Sequence, residues 1–308
     1  MRDARKWGGN WEKAQMAHKY YSQRAGLSPH PNGLPLKDIL DLFERVYKNL
    51  ENAGYFADAF GYACVTAGWI DGTIGDVELD IRLATRKDTL WPLSKMLFLA
   101  EEDDLFDFIE YLYQNVSKPI KGTRHTYGDC GMHWEVFDKP TGQKEFREKI
   151  NLILEQYERK FQLSDKGEIL LVPEHGFEEI FKAKIPSTQP TVVGRMESAI
   201  VRFRRHGSTR DDCRQAVRDL ADVLEALRPE MEGVISNKDE GDLFNIANNF
   251  SIRHNSDKQK AEYDPVWLSW MFYFYLSTIH VILRRIERAK KEAAKASGSS
   301  PERKLPDN

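Results

Sequence analysis

Apolar residues recur at helical spacing in the first half of the chain and predict three helices. These helices cover residues 36–50, 103–115 and 142–161. In the first of them, Ile39, Phe43, Val46 and Leu50 form a single stripe. A stripe at this spacing is the pattern of an amphipathic helix that buries one face. The first half of the chain is therefore predicted to be built on packed helices.

A different pattern follows the third predicted helix. Residues 163–168 contain Ser, Asp, Lys and Gly, and residues 169–172 are a short apolar run. A turn followed by such a run predicts a short strand, one half of a small hairpin. The intervening segments, including 72–76 and 121–123, are rich in turn-forming residues. The first half is thus predicted to be helical with a minor β element.

A segment rich in proline and small polar residues indicates a domain boundary. Residues 185–191 read Ile-Pro-Ser-Thr-Gln-Pro-Thr and have no helical periodicity, which is typical of a linker. A length of 308 residues also exceeds the usual size of one compact core. The predicted division is an N-terminal recognition or regulatory domain, a linker, a C-terminal domain and a disordered tail. Their ranges are 1–185, 186–191, 192–291 and 292–308.

The C-terminal domain has the pattern of an antiparallel bundle of four helices. The predicted helices cover 192–205, 209–235, 239–252 and 264–291, with Pro229 shortening or kinking the second. Short connections between successive helices favour antiparallel neighbours. The predicted fold class is therefore mainly α: a helical N-terminal unit with a small β element, and a C-terminal four-helix bundle.

Composition restricts the setting of the protein. The three cysteines, Cys64, Cys130 and Cys213, are odd in number and widely spaced, which does not suggest a secreted disulfide framework. The N-terminus lacks the apolar run of a signal peptide. The richest apolar stretch, 267–283, carries polar residues and is expected to be a buried bundle helix rather than a membrane span. We expect a cytoplasmic protein that does not associate with membranes.

Charge matters locally rather than globally. The formal net charge of -3 gives no overall attraction to a polyanion. Between residues 195 and 218, however, seven arginines stand against three acidic residues. Arginine makes bidentate contacts with phosphate, so this segment is a candidate RNA-binding surface. The alternative is a solvated helix surface with intrahelical ion pairs, such as Asp211 with Arg214 or Arg218. The RNA-binding candidates are Arg202, Arg204, Arg205, Arg210, Arg214 and Lys258.

The most specific segment ends the third helix of the predicted bundle. Residues 242–252 form an amphipathic pattern that leads into Arg253, His254 and Asn255, followed by a loop and an aromatic helix. Packed helices fix the direction of such side chains while a loop leaves them accessible. The alternative is a purely structural role, in which Arg253 and His254 cap the C-terminus of the helix, where cations are favourable.

In this segment the chain resembles the C-terminal domain of abortive-infection proteins and, more widely, the HEPN superfamily. The resemblance is carried by residues 250–255, 263–264 and 267–273 and covers about residues 192–290. It implies a helical bundle that dimerises, and often a metal-independent ribonuclease used in toxin or antiphage systems. Other members bind ligands or partners without cleavage. The family pattern is an Arg, an adjacent polar residue and, a few residues later, a His.

Carried over to this chain, the pattern places its Arg at Arg253 and its polar residue at His254. At the expected position of the closing His stand Lys258 and Gln259. The implied catalytic residues are Arg253 for charge stabilisation, His254 for proton transfer and Asn255 for orientation, completed in a homodimer and without a cofactor. The alternative is a noncatalytic helical module that binds RNA, a nucleotide or a defence-system partner.

A last group of possible metal ligands lies between residues 125 and 133. His125, Asp129, Cys130 and His133 are residue types that bind zinc, and two glycines would permit a tight turn around an ion. Their spacing matches no well-defined zinc motif. The expectation is a packed loop whose polar side chains satisfy its own backbone, and no metal ligand is assigned.

Overall fold

The structure is a computed structural model that describes residues 20–232, except 28, 89 and 94–99, together with 234, 241 and 266–298. The chain divides into two compact units, Met1–Glu168 and Ile169–Asn308. It is mainly helical, with small two-stranded sheets, as the sequence predicts.

The first unit combines helices with two antiparallel hairpins. Its described elements, in chain order, are α1 (Tyr21–Arg24), α2 (Leu36–Asn52), α3 (Ala57–Phe60), β1 (Tyr62–Cys64), β2 (Gly68–Ile70), α4 (Val77–Thr85), α5 (Glu102–Asn115), β3 (Lys118–His125), β4 (Gly131–Asp138), α6 (Lys139–Leu154) and β5 (Phe161–Leu163). Strand β1 pairs with β2, and β3 pairs with β4.

Helices α2, α5 and α6 carry the core of this unit. The predicted stripe of α2 is buried at Ile39, Phe43 and Leu50. The ring of Phe43 packs edge to face on Phe108 of α5, with centroids 6.0 Å apart. Helix α5 begins with a capping box formed by Glu101 and Asp104, which satisfies free amides of its first turn. The first two predicted helices are therefore confirmed.

The third helix ends earlier than the sequence predicts. Helix α6 stops at Leu154, whereas the apolar spacing continues to Phe161. The chain leaves the helix because its backbone pairs with Leu34, whose amide donates to the Gln156 carbonyl at 2.6 Å. Phe161 is buried nonetheless, in β5. A long-range backbone pairing thus overrides the local helical periodicity.

The two hairpins are more extensive β structure than the sequence predicts. Strands β3 and β4 have eight residues each, whereas the sequence predicts a turn-rich segment at 121–123 and a packed loop over 125–133. They lack the alternation of a half-buried strand because much of both faces is exposed, and bulges at Lys121 interrupt the register. Gly122 is required here, since a Cβ would lie 2.2 Å from the carbonyl oxygen of His133.

The second unit is a helical assembly with one short strand. Its described elements are β6 (Ile169–Leu171), α7 (Glu178–Lys182), α8 (Pro190–Arg204), α9 (Arg210–Ala226), α10 (Arg228–Met231) and α11 (Val266–Gly298). The strand confirms the one predicted over 169–172. Helix α9 begins with a capping box between Thr209 and Asp212. It ends at Ala226, and Pro229 lies in the first turn of α10, in agreement with the predicted interruption.

One apolar core joins α8, α9 and α11. Met196, Leu220, Phe272, Tyr275 and Ile279 are fully buried in it. Three apolar residues that precede α8 also pack against this core, namely Ile180, Phe181 and Ile185. The segment before α8 is therefore part of the compact unit that begins at Ile169, and the predicted linker at 186–191 stays a prediction. Apart from Gly241, the predicted helix 239–252 lies outside the described residues.

Helix α11 is longer than predicted and continues through Gly298, into the segment expected to be a tail. Within the described residues, its stretch Val266–Ala293 is long and apolar enough to cross a membrane. Of the most apolar window within this stretch, 56% is buried inside the protein. The core helix of a bundle shows the same combination of length and apolar character, so this feature alone is weak evidence for a membrane.

Candidate nucleic-acid interface and cysteine-histidine cluster

The residues of the predicted catalytic motif lie outside the described part of the chain. These are Arg253, His254 and Asn255, together with the RNA-binding candidate Lys258. Their predicted roles rest on the resemblance and on the sequence pattern alone.

Arg204 does not lie at the surface, where contact with a phosphate would place it. It is 6% exposed, and its Nε donates to the carbonyl oxygen of Leu171 at 2.8 Å. Its guanidinium lies 4.8 Å from the centroid of the Phe181 ring. Burial lowers the pKa of Arg204 to about 10. This side chain therefore ties β6 to the core of the second unit.

Two further arginines among the RNA-binding candidates form ion pairs. Arg214 contacts Asp211 at 2.9 Å, which is the intrahelical pair that the sequence allows as an alternative. The Nε of Arg202 lies 3.4 Å from a carboxylate oxygen of Asp219, yet the Arg202 side chain remains 43% exposed. The local charge is thus partly neutralised within the bundle.

Four exposed arginines lie on α8, directly after its end and at the start of α9, and we call them the arginine surface. They are Arg195, Arg202, Arg205 and Arg210. Arg195 also borders a groove of about 370 Å³, which is lined by Pro190, Thr191, Gly194, Arg195, Ser198 and Asp219. A Cβ at Gly194 would meet no atom within 4 Å, so a small side chain fits at this position of the lining.

A group of two cysteines and two histidines lies in the first unit, where the ends of two hairpins converge. Cys64 is the last residue of β1 and His125 is the last residue of β3. Cys130 directly precedes β4, and His133 is the third residue of that strand. We call these four residues the cysteine-histidine cluster. Each residue offers one possible ligand atom, a sulfur or a ring nitrogen, and these four atoms lie within 4.8 Å of one another.

Individual distances in the cysteine-histidine cluster are short. The Sγ of Cys130 lies 3.3 Å from Nε2 of His133, and the Sγ of Cys64 lies 3.9 Å from Nδ1 of His125. The two imidazole rings are arranged edge to face, with centroids 4.9 Å apart. Cys64 is buried, and the other three side chains are half-buried.

Hydrogen-bond donors surround the two sulfur atoms. The hydroxyl oxygen of Thr66 lies 3.3 Å from the Sγ of Cys64, and the amide of Val65 donates to the Sγ of Cys130 at 3.4 Å. Hydrogen bonds from the Thr66 side chain and from the amides of Ala67 and Thr66 lower the pKa of the Cys64 thiol to about 6. The turn after β1 therefore favours a thiolate at Cys64.

Sequence reasoning identified three members of the cluster and missed Cys64. It also included Asp129, whose side chain is 93% exposed and contacts Arg124 at 4.0 Å instead. Cys64 lies far from the other members in sequence, so no local spacing rule connects them. The available signal was a cysteine directly before a short turn that ends in Gly68, which has a φ of 78°.

Comparisons with known proteins found no match to a family model, to a curated protein or to a solved structure.

Proposed function

We propose that the second unit binds RNA through the arginine surface. The observation that carries this proposal is the exposure of Arg195, Arg202, Arg205 and Arg210, which lie on α8, directly after it and at the start of α9. Exposed guanidinium groups make bidentate contacts with backbone phosphates. The segment keeps more positive than negative charge although the whole chain is slightly acidic. The attraction is therefore local, as expected for a dedicated site.

The groove beside Arg195 supports the proposal. Its lining carries one cation, Arg195, and one carboxylate, Asp219, which lies 3.4 Å from the Nε of Arg202. Thr191 and Ser198 offer hydroxyl groups along its wall, which suit the hydroxyls and phosphates of a ribose backbone. Arg195 then provides the charge at its edge.

Binding of a labelled single-stranded RNA to the full chain, measured by fluorescence anisotropy over a series of KCl concentrations, tests this proposal. The double variant Arg195→Glu/Arg205→Glu is expected to bind at least about tenfold more weakly than the wild type. Its salt dependence falls too, by about 0.7 in slope for each lost phosphate contact. A DNA strand of the same sequence shows whether the 2′-hydroxyl contributes.

The matched control is Arg82→Glu/Lys144→Glu, which changes the net charge equally at two exposed positions of the first unit. Its affinity should equal that of the wild type. An equal loss of affinity in both double variants, or wild-type affinity that does not depend on salt, would refute the arginine surface.

A second candidate function is metal-independent RNA cleavage, as in antiphage or toxin-like HEPN ribonucleases. Its support is the resemblance of the C-terminal sequence, together with a described core in which α8, α9 and α11 pack as a helical bundle. In this proposal Arg253, His254 and Asn255 form the site in a cytoplasmic homodimer, and the arginine surface positions the substrate. The first unit recognises a trigger or a defence-system partner.

Incubation of the full chain with total RNA and with tRNA tests the cleavage proposal. His254→Ala should abolish cleavage, whereas His175→Ala, at a fully exposed histidine in the same unit, should leave it unchanged. If RNA binds but neither the wild type nor the variants cleave it, the noncatalytic RNA-binding function is favoured. Equal cleavage by the wild type and His254→Ala would exclude the predicted proton-transfer role.

A further inference from the structure

The cysteine-histidine cluster of the first unit has the composition and spacing of a tetrahedral metal site. It offers two thiol sulfurs and two imidazole nitrogens from separate parts of the chain. Two sulfur and two nitrogen ligands in tetrahedral geometry are typical of zinc. This feature is independent of the proposed RNA binding, which belongs to the second unit.

The distances agree with those around a bound zinc ion. Zinc bonds of about 2.3 Å to sulfur and about 2.0–2.1 Å to nitrogen separate a sulfur and a nitrogen ligand by about 3.6 Å in a tetrahedron. The two measured sulfur–nitrogen distances are 3.3 Å and 3.9 Å, on either side of this value. An ion is therefore accommodated by small movements of the side chains.

The backbone is shaped to bring the two hairpin ends together. Gly128 and Asp129, between β3 and β4, and Gly131, the first residue of β4, have φ angles of 58°, 56° and 105°, in the left-handed region. A Cβ at Gly128 would lie 2.9 Å from Cγ1 of Val65 in the facing turn. Such conformations are costly for a non-glycine residue such as Asp129. The turn between β3 and β4 is therefore held against the turn after β1, next to Cys64 and Cys130.

The surroundings of the sulfur atoms suit metal-bound thiolates. Two donors approach them, the Thr66 hydroxyl at Cys64 and the Val65 amide at Cys130. Hydrogen bonds of this kind orient a ligand and stabilise its negative charge. Both donors lie in the turn after β1, so this one turn contacts the sulfur atoms of Cys64 and Cys130.

We propose that Cys64, His125, Cys130 and His133 bind one zinc ion that cross-links the β1–β2 and β3–β4 hairpins. Four protein ligands close the coordination sphere and leave no position for a substrate or an activated water molecule. The role of the ion is therefore structural. It links a segment near residue 64 to one near residue 130, which the chain alone would connect only through a long intervening sequence.

Metal content and cobalt spectroscopy of the full chain test this proposal. Protein produced in zinc-supplemented medium should contain one zinc per chain by elemental analysis. Exchange for Co²⁺ should give the intense visible bands of a tetrahedral site and the near-ultraviolet charge-transfer bands of cobalt–thiolate bonds. Cys64→Ser and Cys130→Ser should each lose most of the metal and of these bands.

Cys213→Ser is the matched control, because Cys213 is a half-buried cysteine of the other unit. It should retain one zinc ion and the wild-type cobalt spectrum. Cys64→His keeps a ligand in place of the thiolate; it should retain a metal ion with weaker charge-transfer bands, and so remains informative if the serine variants do not fold. Wild-type protein without stoichiometric metal, or serine variants with unchanged metal content and spectrum, would overturn the proposal.

Discussion

Removal of zinc from the cysteine-histidine cluster should destabilise the first unit by several kcal/mol. The perturbation is Cys64→Ser, which removes the ligand that joins the β1–β2 hairpin to the other three ligands. Within the cross-link, the chain from Cys64 to His125 forms a closed loop of about 60 residues. The four ligands come together only in the folded chain, so loss of the ion removes a binding free energy that contributes to folding.

The magnitude follows from the linkage between metal binding and folding. An ion that binds only the folded chain stabilises it by about 4 kcal/mol when free zinc exceeds the dissociation constant about 1,000-fold. For a unit of this size, each kcal/mol corresponds to about 2–4 °C in Tm. We therefore expect the transition of the first unit to fall by about 8–16 °C on loss of the ion.

Differential scanning calorimetry of the full chain, with and without a zinc chelator, provides the assay. The chelator should lower one transition of the wild type and of Cys213→Ser to the temperature seen for Cys64→Ser. It should have no further effect on Cys64→Ser itself, because the two perturbations remove the same interaction. A wild-type transition that is insensitive to the chelator, or a Cys64→Ser variant that the chelator still destabilises, would refute the reasoning.

Three other substitutions test the packing of the two units. Gly128→Ala should destabilise the first unit by about 1–2 kcal/mol, because the φ of Gly128, 58°, is in the left-handed region. The control is Gly75→Ala, where the added Cβ meets no atom within 4 Å, and it should leave stability unchanged in the same thermal melts. Lys87 contacts three carboxylates, and its hydrogen bond lowers the pKa of Asp103; Lys87→Met should cost up to about 1 kcal/mol at pH 7. Because the unfolded chain binds the proton of Asp103 more tightly, this difference should shrink below about pH 4, and an unchanged difference at pH 3 would contradict the assignment. Arg204→Met should lower stability in urea titrations by about 1.5–3 kcal/mol, because the buried guanidinium donates to a carbonyl, while the same change at Arg205 should have little effect.

The helices could be predicted from the sequence where one face of each is buried by its own unit. The stripe at Ile39, Phe43 and Leu50 is an example, since burial of one helical face produces a local repeat that can be read directly. The β3–β4 hairpin could not be predicted in this way. Its strands are partly exposed on both faces and so lack the alternating pattern on which strand prediction depends.

The same distinction between local patterns and tertiary contacts applies to the candidate sites. The excess of arginine over residues 195–218 was visible in the sequence, but the inward position of Arg204 was not, because a helix surface does not reveal which side meets a neighbouring strand. The HEPN-like motif at Arg253 and His254 remains a prediction outside the described residues. Three members of the cysteine-histidine cluster were visible in the sequence as possible zinc ligands because they are close in sequence, but the sequence favoured a packed loop there.

The sequence by itself determined the mainly helical character of the protein, the position of its principal helices and the interruption at Pro229, since each depends on residues within a few positions of one another. Tertiary structure decided where α6 ends, through the backbone pairing at Leu34, and which side chains meet at the hairpin ends. Cys64 approaches His125 only because two separate hairpins fold against each other across left-handed turns. Such convergence depends on the path of the whole chain, which no local pattern records.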